Sequence, residues 1–312
     1  MSHPLKAILF GLLSALFFSA TYILNKSMAS AGGDFLWSAC LRYIITLPII
    51  LMVALLSKGG KTMFKAVFNN PLPWLLWGSV GFGLFYIALT AAASFSPAWL
   101  VAGTFQTTII AGLLLSPLIY KDERKIIPKK AFIATCIILL GVIISQIGEV
   151  KSSSLLYILI GALLVMFSAF MFPLGNRMIL LFQEKEHIKL NAIQRVAGMT
   201  LGSMPLWLIV AAIAYFRSGA PSSSEVVQSG IIALSSGVIA TVLFFKATEM
   251  AGSNTSILGA VEATQSAEIG ITLMLELLFL NGKAPSTLSI LGMILITLGM
   301  LYYTKISSAK SH

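Results

Sequence analysis

Three carboxylates stand where a bilayer would place hydrocarbon. The stretch from Ile257 to Leu280, ILGAVEATQSAEIGITLMLELLFL, is long and apolar enough to cross a membrane, yet carries Glu262, Glu268 and Glu276. Even a conservative insertion scale charges about 2.5–3.5 kcal/mol for an acid at the centre of a span, so each calls for a compensating role. At about 100° per residue, Glu262 and Glu276 end about 40° apart and Glu268 about 120° from Glu262, so the three are not expected to share one stripe. Glu262, with Thr264 and Gln265 beside it, reads as a carboxylate at a central cavity that pairs with a cation or takes up a proton. It reads equally as an inter-helix hydrogen-bonding group or a partner for Arg195. Glu268, the deepest, is the second proton or cation candidate, against a neutral acid in packing. Glu276, near a span end, reads as snorkelling or helix packing.

Two arginines raise the same question from the other sign. Arg42 and Arg195 fall inside apolar runs, where a guanidinium must be paired or watered, so each either contacts a ligand, gates a cavity or completes a structural ion pair. Tyr22, Tyr86, Trp99, Phe105, Phe167 and Phe170 are candidates for an aromatic wall that receives a cation face-on, against ordinary packing or lipid contact. Trp37, Trp74 and Trp77 are expected in interfacial belts. Gly78, Gly81 and Gly83, and Gly198 with Gly202, are spaced for close helix approach.

The elements that must hold these groups are legible as apolar runs. Of the 312 residues, 57% are hydrophobic and 10% charged, and the mean hydropathy is +0.92, which excludes a soluble globular domain. Ten runs follow one another at 5–28, 34–57, 73–94, 97–120, 128–147, 154–180, 190–216, 226–250, 254–280 and 286–305. Their continuity predicts an all-α integral membrane protein with ten transmembrane helices rather than a β-barrel, whose strands would alternate over about ten residues. The first run reads as a span, not a removable signal peptide. Fifteen basic residues lie in loops on the N-terminal side: Lys6, Lys58, Lys61, Lys65, Lys121, Arg124, Lys125, Lys129, Lys130, Arg177, Lys185, Lys189, Lys246, Lys305 and Lys310. Only Lys26, Lys151, Arg217 and Lys283 lie on the other side, so both termini are expected in the cytoplasm of a cell with this protein in its plasma membrane. The net charge of +10 is thereby an orientation signal, with no basic domain for nucleic acid.

The two halves of the chain echo each other. GLLSALFFSATYILNKSM at 11–28 parallels GALLVMFSAFMFPLGNRM at 161–178, and the two Asn-basic pairs, Asn25-Lys26 and Asn176-Arg177, are expected to cap and anchor their helices. Leu84–Ala88 parallels Leu243–Ala247, and GTFQTT at 103–108 parallels GAVEAT at 259–264, which makes Gln106 the counterpart of Glu262 and a further cavity candidate together with Gln265. Five runs per copy is an odd number, so the second copy enters the membrane reversed. Two inverted five-helix repeats, 1–150 and 151–312, place a ligand at their interface near the midplane.

The PAWLVAGTFQTTIIAGLLLSPLIYKDE and GAVEATQSAEIGITLMLELLFL segments, with the ten runs and short loops, resemble the drug/metabolite transporter superfamily, nearest its multidrug-resistance efflux branch. The resemblance covers essentially the whole chain. It implies a secondary active transporter that exports small organic cations or drug-like compounds in exchange for protons by alternating access, as a monomer or homodimer, with the small-molecule substrate and the lipid bilayer as partners. The alternative is an amino-acid or other metabolite carrier working as a uniporter or symporter, in which Arg42 and Arg195 bind a carboxylate. No phosphate-binding Gly-rich loop is present, so no ATP cofactor is expected. The histidines, His3, His187 and His312, lie outside the runs, so no metal site or His relay is expected. The longest internal loops, roughly 10–16 residues of mainly Lys and Arg, offer no catalytic residues for a membrane enzyme.

Overall fold

The computed structural model describes residues 3–57, 60–150, 154–252 and 254–309. Lys58, Lys151, Lys310 and His312, which enter the charge and histidine readings, lie outside them. The main elements of the described residues are helices: α1 (His3–Ser30), α2 (Phe35–Leu56), α3 (Gly60–Asn69), α4 (Pro71–Ala92), α5 (Ala98–Ile119), α6 (Lys129–Glu149), α7 (Leu155–Lys185), α8 (Ala192–Ser218), α9 (Ser223–Ala251), α10 (Thr255–Ala263), α11 (Ala267–Phe279) and α12 (Thr287–Ala309). Among the described residues nine helices are long and apolar enough to cross a bilayer. The acidic stretch is not among these nine. A tight turn at Thr264–Ser266 divides it into α10 and α11.

Local chemistry sets the boundaries. Asp34 accepts from the Leu36 amide to start α2, and Asn191 with Gln194 and Ser222 with Glu225 form capping boxes at the starts of α8 and α9. Gly219, at φ 78°, terminates α8 in a conformation that costs glycine least. The Asn-basic pairs do not end their helices. Helix α1 continues to Ser30 and α7 to Lys185, since no breaker follows Asn25 or Asn176 within those turns. Asn25 instead bonds the Tyr86 hydroxyl at 3.1 Å, and Asn176 turns back on the Phe172 carbonyl at 2.8 Å. The loop expected after α2 holds the short amphipathic α3, which buries Met63, Ala66 and Val67 and leaves Lys61 and Lys65 exposed.

Packing is closest where side chains are absent. A Cβ on Gly78 would lie 2.6 Å from the Met199 carbonyl, and one on Gly202 would lie 2.5 Å from the Trp74 carbonyl. Gly81 and Gly175 meet backbone to backbone. Between apolar helices in lipid, such contacts supply the van der Waals gain that water would otherwise drive. The main core joins α2, α4 and α8, where Tyr43 stacks on Trp207 at 4.6 Å. A second core joins α5, α6 and α12 around Trp99, Ile138 and Ile296. Trp74 and Trp37 belong to the protein interior, not to a lipid interface: both are buried, and their indole N–H groups donate to the Ala66 and Gly219 carbonyls. A buried indole needs such a partner, and helix ends supply free carbonyls.

Candidate functional site

A cavity of about 440 Å³ opens between α1, α2, α4, α5, α7, α8, α9 and the α10–α11 turn. Two irregular turns shape its wall. The helix is wound wide at Ser79–Leu84 in α4 and at Ala233–Ala240 in α9, and these turns contribute Phe82, Ser236 and Gly237 to the lining. Wide turns of this kind are frequent at functional sites because they re-aim side chains without ending the helix.

Three charged side chains line the cavity: Arg42, Arg195 and Glu268. Glu268 is buried, and Tyr22 lies beside it on the cavity wall. Among the described residues no basic group forms an ion pair with Glu268, and no carboxylate forms one with Arg42 or Arg195. Arg42 is held from several sides. Its guanidinium lies 4.1 Å from the Tyr86 ring centroid and 5.3 Å from that of Tyr43, and Nη2 donates to Ser236 Oγ at 3.1 Å. Ser236 Oγ also accepts from Thr21 at 2.7 Å, and Asn25 fixes the Tyr86 hydroxyl behind. Phenylalanines 82, 85, 105 and 172 form the apolar wall, with Phe85 and Phe172 in ring contact at 5.0 Å.

Of the residues singled out from sequence, the structure brings Glu268, Arg42, Arg195, Gln265, Tyr22 and Phe105 to this cavity. The others lie elsewhere. Glu262 is exposed on the surface of α10 and does not line the cavity. Glu262 lies on α10 and Glu276 on α11, two helices divided by the turn at Thr264–Ser266, so the phase of one ideal helix does not decide which neighbours each acid meets. Gln265 pins that turn by donating to the Gly11 carbonyl and to Ser14 Oγ, both at 3.3 Å. Gln106 is buried and folded back on the Ala102 carbonyl. Tyr86 stands behind Arg42 rather than on the cavity wall, Trp99 is packed in the second core, Phe167 is exposed, and Phe170 lies outside the lining.

The sequence reading passed over Tyr43, Thr46, Phe82, Phe85, Phe172 and Ser236. Tyr43 follows Arg42 directly, Phe85 sits in the repeated Leu-Phe pair, and Phe172 lies in the repeated segment 161–178, three residues past its Phe-Ser-Ala, so a signal was present for these three. Phe82 and Ser236 had none, because their aim depends on the wide turns.

Glu276 is buried at the start of α5, where Pro97 occupies the N-cap position without a side-chain acceptor. Its carboxylate accepts from the Trp99 amide at 3.0 Å and so caps α5 from another helix. Two ion pairs bridge residues of the first and second halves at opposite ends of the molecule. Arg217 meets Asp34 at 3.3 Å where α1 passes to α2, and Arg124 meets Glu184 at 2.9 Å where α5 passes to α6. Beside the second pair, hydrogen bonds from Arg124 hold the Asp122 carboxyl below the usual carboxylate range. Among the described residues no group of three or more His, Cys, Asp or Glu is placed to hold a metal.

Comparison with known proteins agrees with this architecture. An uncharacterized Bacillus subtilis protein, YjlA, is 42% identical over 98% of this chain and 96% of its own length. A Shouchella clausii protein, described as an uncharacterized 42.1 kDa protein in the intracellular alkaline protease 3' region, is 40% identical over 85% of this chain and 70% of its own. A solved structure described as "Crystal structure of protein" shares the fold at a TM-score of 0.59, with 17% identity and 96% of each chain covered. The family model described as "EmrE: Putative multidrug resistance efflux transporter" matches residues 5–309. The chain therefore belongs to the EmrE family and is a multi-pass membrane transporter.

Proposed function

We propose that the protein is a secondary active transporter that exports small organic cations or drug-like compounds in exchange for protons, with Glu268 as the group that accepts one or the other. The carrying observation is the placement of Glu268: a buried carboxyl on the wall of an aromatic cavity, beside Tyr22 and without a basic ion-pair partner among the described residues. A single carboxylate that holds either a proton or a cationic ligand couples their movements in opposite directions. Ten spans are reached by counting α10 and α11 as one broken helix, and alternation then sets 151–312 upside down relative to 1–150. The wide turns in α4 and α9, and the breaks after Phe105 in α5 and after Ala263, support that pairing of halves. Rocking of the halves would break the Asp34–Arg217 and Arg124–Glu184 pairs in turn. The exposed Arg124–Glu184 pair contributes only about 0–1 kcal/mol, little enough to be exchanged in each cycle, whereas in the other pair the Asp34 side chain is buried. Both termini are assigned to the cytoplasmic side of the plasma membrane, and because one chain encloses the cavity a monomer suffices.

The test is transport in proteoliposomes with an imposed pH gradient. Glu268→Gln is expected to abolish pH-driven movement of cationic dyes, and a variant that transports like the parent would remove the mechanism. The second reading, a carrier of amino acids or other metabolites, is favoured by Arg42 and Arg195, which place two guanidinium groups on a wall with one carboxyl. Under that reading Glu268→Gln retains downhill movement of the substrate.

A further inference from the structure

We infer that α3 is an in-plane anchor that binds anionic phospholipid at the membrane surface, with Lys61 and Lys65 on the lipid phosphates and Phe64 and Phe68 among the upper acyl chains. Helix α2 ends and α4 begins on the side of the membrane where α1 starts, so α3, which joins them, lies at that surface.

The order of side chains around the helix is the first reason. Met63, Ala66 and Val67 are buried in the main core, and the Trp74 indole donates to the Ala66 carbonyl at 3.2 Å, so packing fixes which face looks outward. A Cβ on Gly60 would lie 2.6 Å from the Ala54 carbonyl, which sets the start of α3 tightly against the end of α2. At about 100° per residue, Phe64 and Phe68 form one edge of the outward face, Lys61 and Lys65 follow about 60° further round, and Thr62 and Asn69 about 70° beyond those. Apolar, basic and neutral polar groups thus succeed one another, which is the order of a bilayer passed from acyl chain through phosphate to water.

Charge and continuity name the occupant. The sequence holds no Asp or Glu between Asp34 and Asp122, and among the described residues no carboxylate forms an ion pair with Lys61 or Lys65. Two exposed ammonium groups about one turn apart therefore stand open to an anion. A soluble anion would leave the neighbouring rings in water. The rings of Phe64 and Phe68 stack at 6.3 Å, and Phe68 is 68% exposed. Leu56 and Leu72, at the adjoining ends of α2 and α4, are 83% and 69% exposed, so the apolar edge of α3 continues the surface that those spans present to lipid. A phospholipid supplies the phosphate and the chains in one molecule, and the anionic lipids of a cytoplasmic leaflet attract lysines held at its surface.

The test uses the full-length protein and two measurements. In native mass spectrometry the double variant Lys61→Gln/Lys65→Gln is expected to bind phosphatidylglycerol about tenfold more weakly than the parent, while Lys61→Arg/Lys65→Arg binds like the parent and phosphatidylcholine does not distinguish the three. Equal binding of phosphatidylglycerol by the parent and the glutamine variant overturns the inference. Displacement of that lipid by inorganic phosphate also overturns it, since the lysines would then hold a soluble anion. The second measurement reads the tilt of the helix. A fluorophore is attached at Phe68→Cys or at Thr62→Cys in a Cys136→Ser background, because Cys136 is the exposed native thiol and Cys40 is buried. In nanodiscs containing phosphatidylglycerol, the probe at position 68 is expected to be quenched by brominated acyl chains and the probe at position 62 by aqueous iodide. Quenching of both by iodide alone would place α3 in water and sink the inference. These positions lie outside the cavity, so each outcome stands apart from what the protein transports.

Discussion

Glu268 and Glu276 belong to the same helix, α11, and meet opposite surroundings. Glu276 is buried against the start of α5, where it accepts from the Trp99 amide and replaces the cap that Pro97 lacks. Its hydrogen bond is backbone to side chain, between two helices, and its effect is structural. Glu268 faces a cavity, beside Tyr22. The difference teaches that burial of an acid in a span does not by itself mark function. What distinguishes the two is whether the partners are groups that the fold must satisfy or a space that a ligand can fill.

The sharpest way to break this comparison is Glu268→Gln, which is expected to remove pH-driven exchange entirely while shifting unfolding stability by less than about 1 kcal/mol. A large loss of stability would make Glu268 a second structural acid. Glu276→Ala comes next. It leaves the start of α5 with a buried, unsatisfied amide and is expected to cost about 1–2 kcal/mol, seen as earlier thermal unfolding in detergent, with ligand binding by the folded fraction preserved. Glu276→Gln should recover part of that, because an amide oxygen still accepts. If Glu276→Ala unfolds like the parent, the cap assignment fails. The smallest effect belongs to Glu262→Gln. An exposed acid outside the cavity is expected to change stability by no more than about 0.5 kcal/mol and to leave exchange intact. Loss of exchange there would move the coupling site onto α10.

The legibility of each part follows from the range of the forces behind it. Apolar runs marked nearly every long helix, because hydrocarbon burial is written into consecutive residues. Helix ends were read less well. Asn25 and Asn176 looked like caps, but an amide side chain can satisfy itself inside a helix or across to a neighbour, as with Tyr86 and Phe172. The glycine positions were legible in kind, since the absence of a side chain only makes sense where backbones meet, yet their partners were not. Within the acidic stretch, an ideal helical phase placed Glu262 and Glu276 on one face. The tight turn at Thr264–Ser266, pinned to α1 by Gln265, divides that stretch, so Glu262 and Glu276 stand on separate helices with different neighbours.

The sequence by itself determined that this is a helical membrane protein with charged groups inside its spans, because hydropathy and charge are properties of single residues and short runs. Only the tertiary structure decided that Glu268, Arg42 and Arg195 share one cavity while Glu262 and Glu276 do not. That outcome depends on where wide and tight turns rotate each helix against its neighbours. The rotation is set by packing between residues hundreds of positions apart, as Gln265 with Gly11 and Arg42 with Ser236 show.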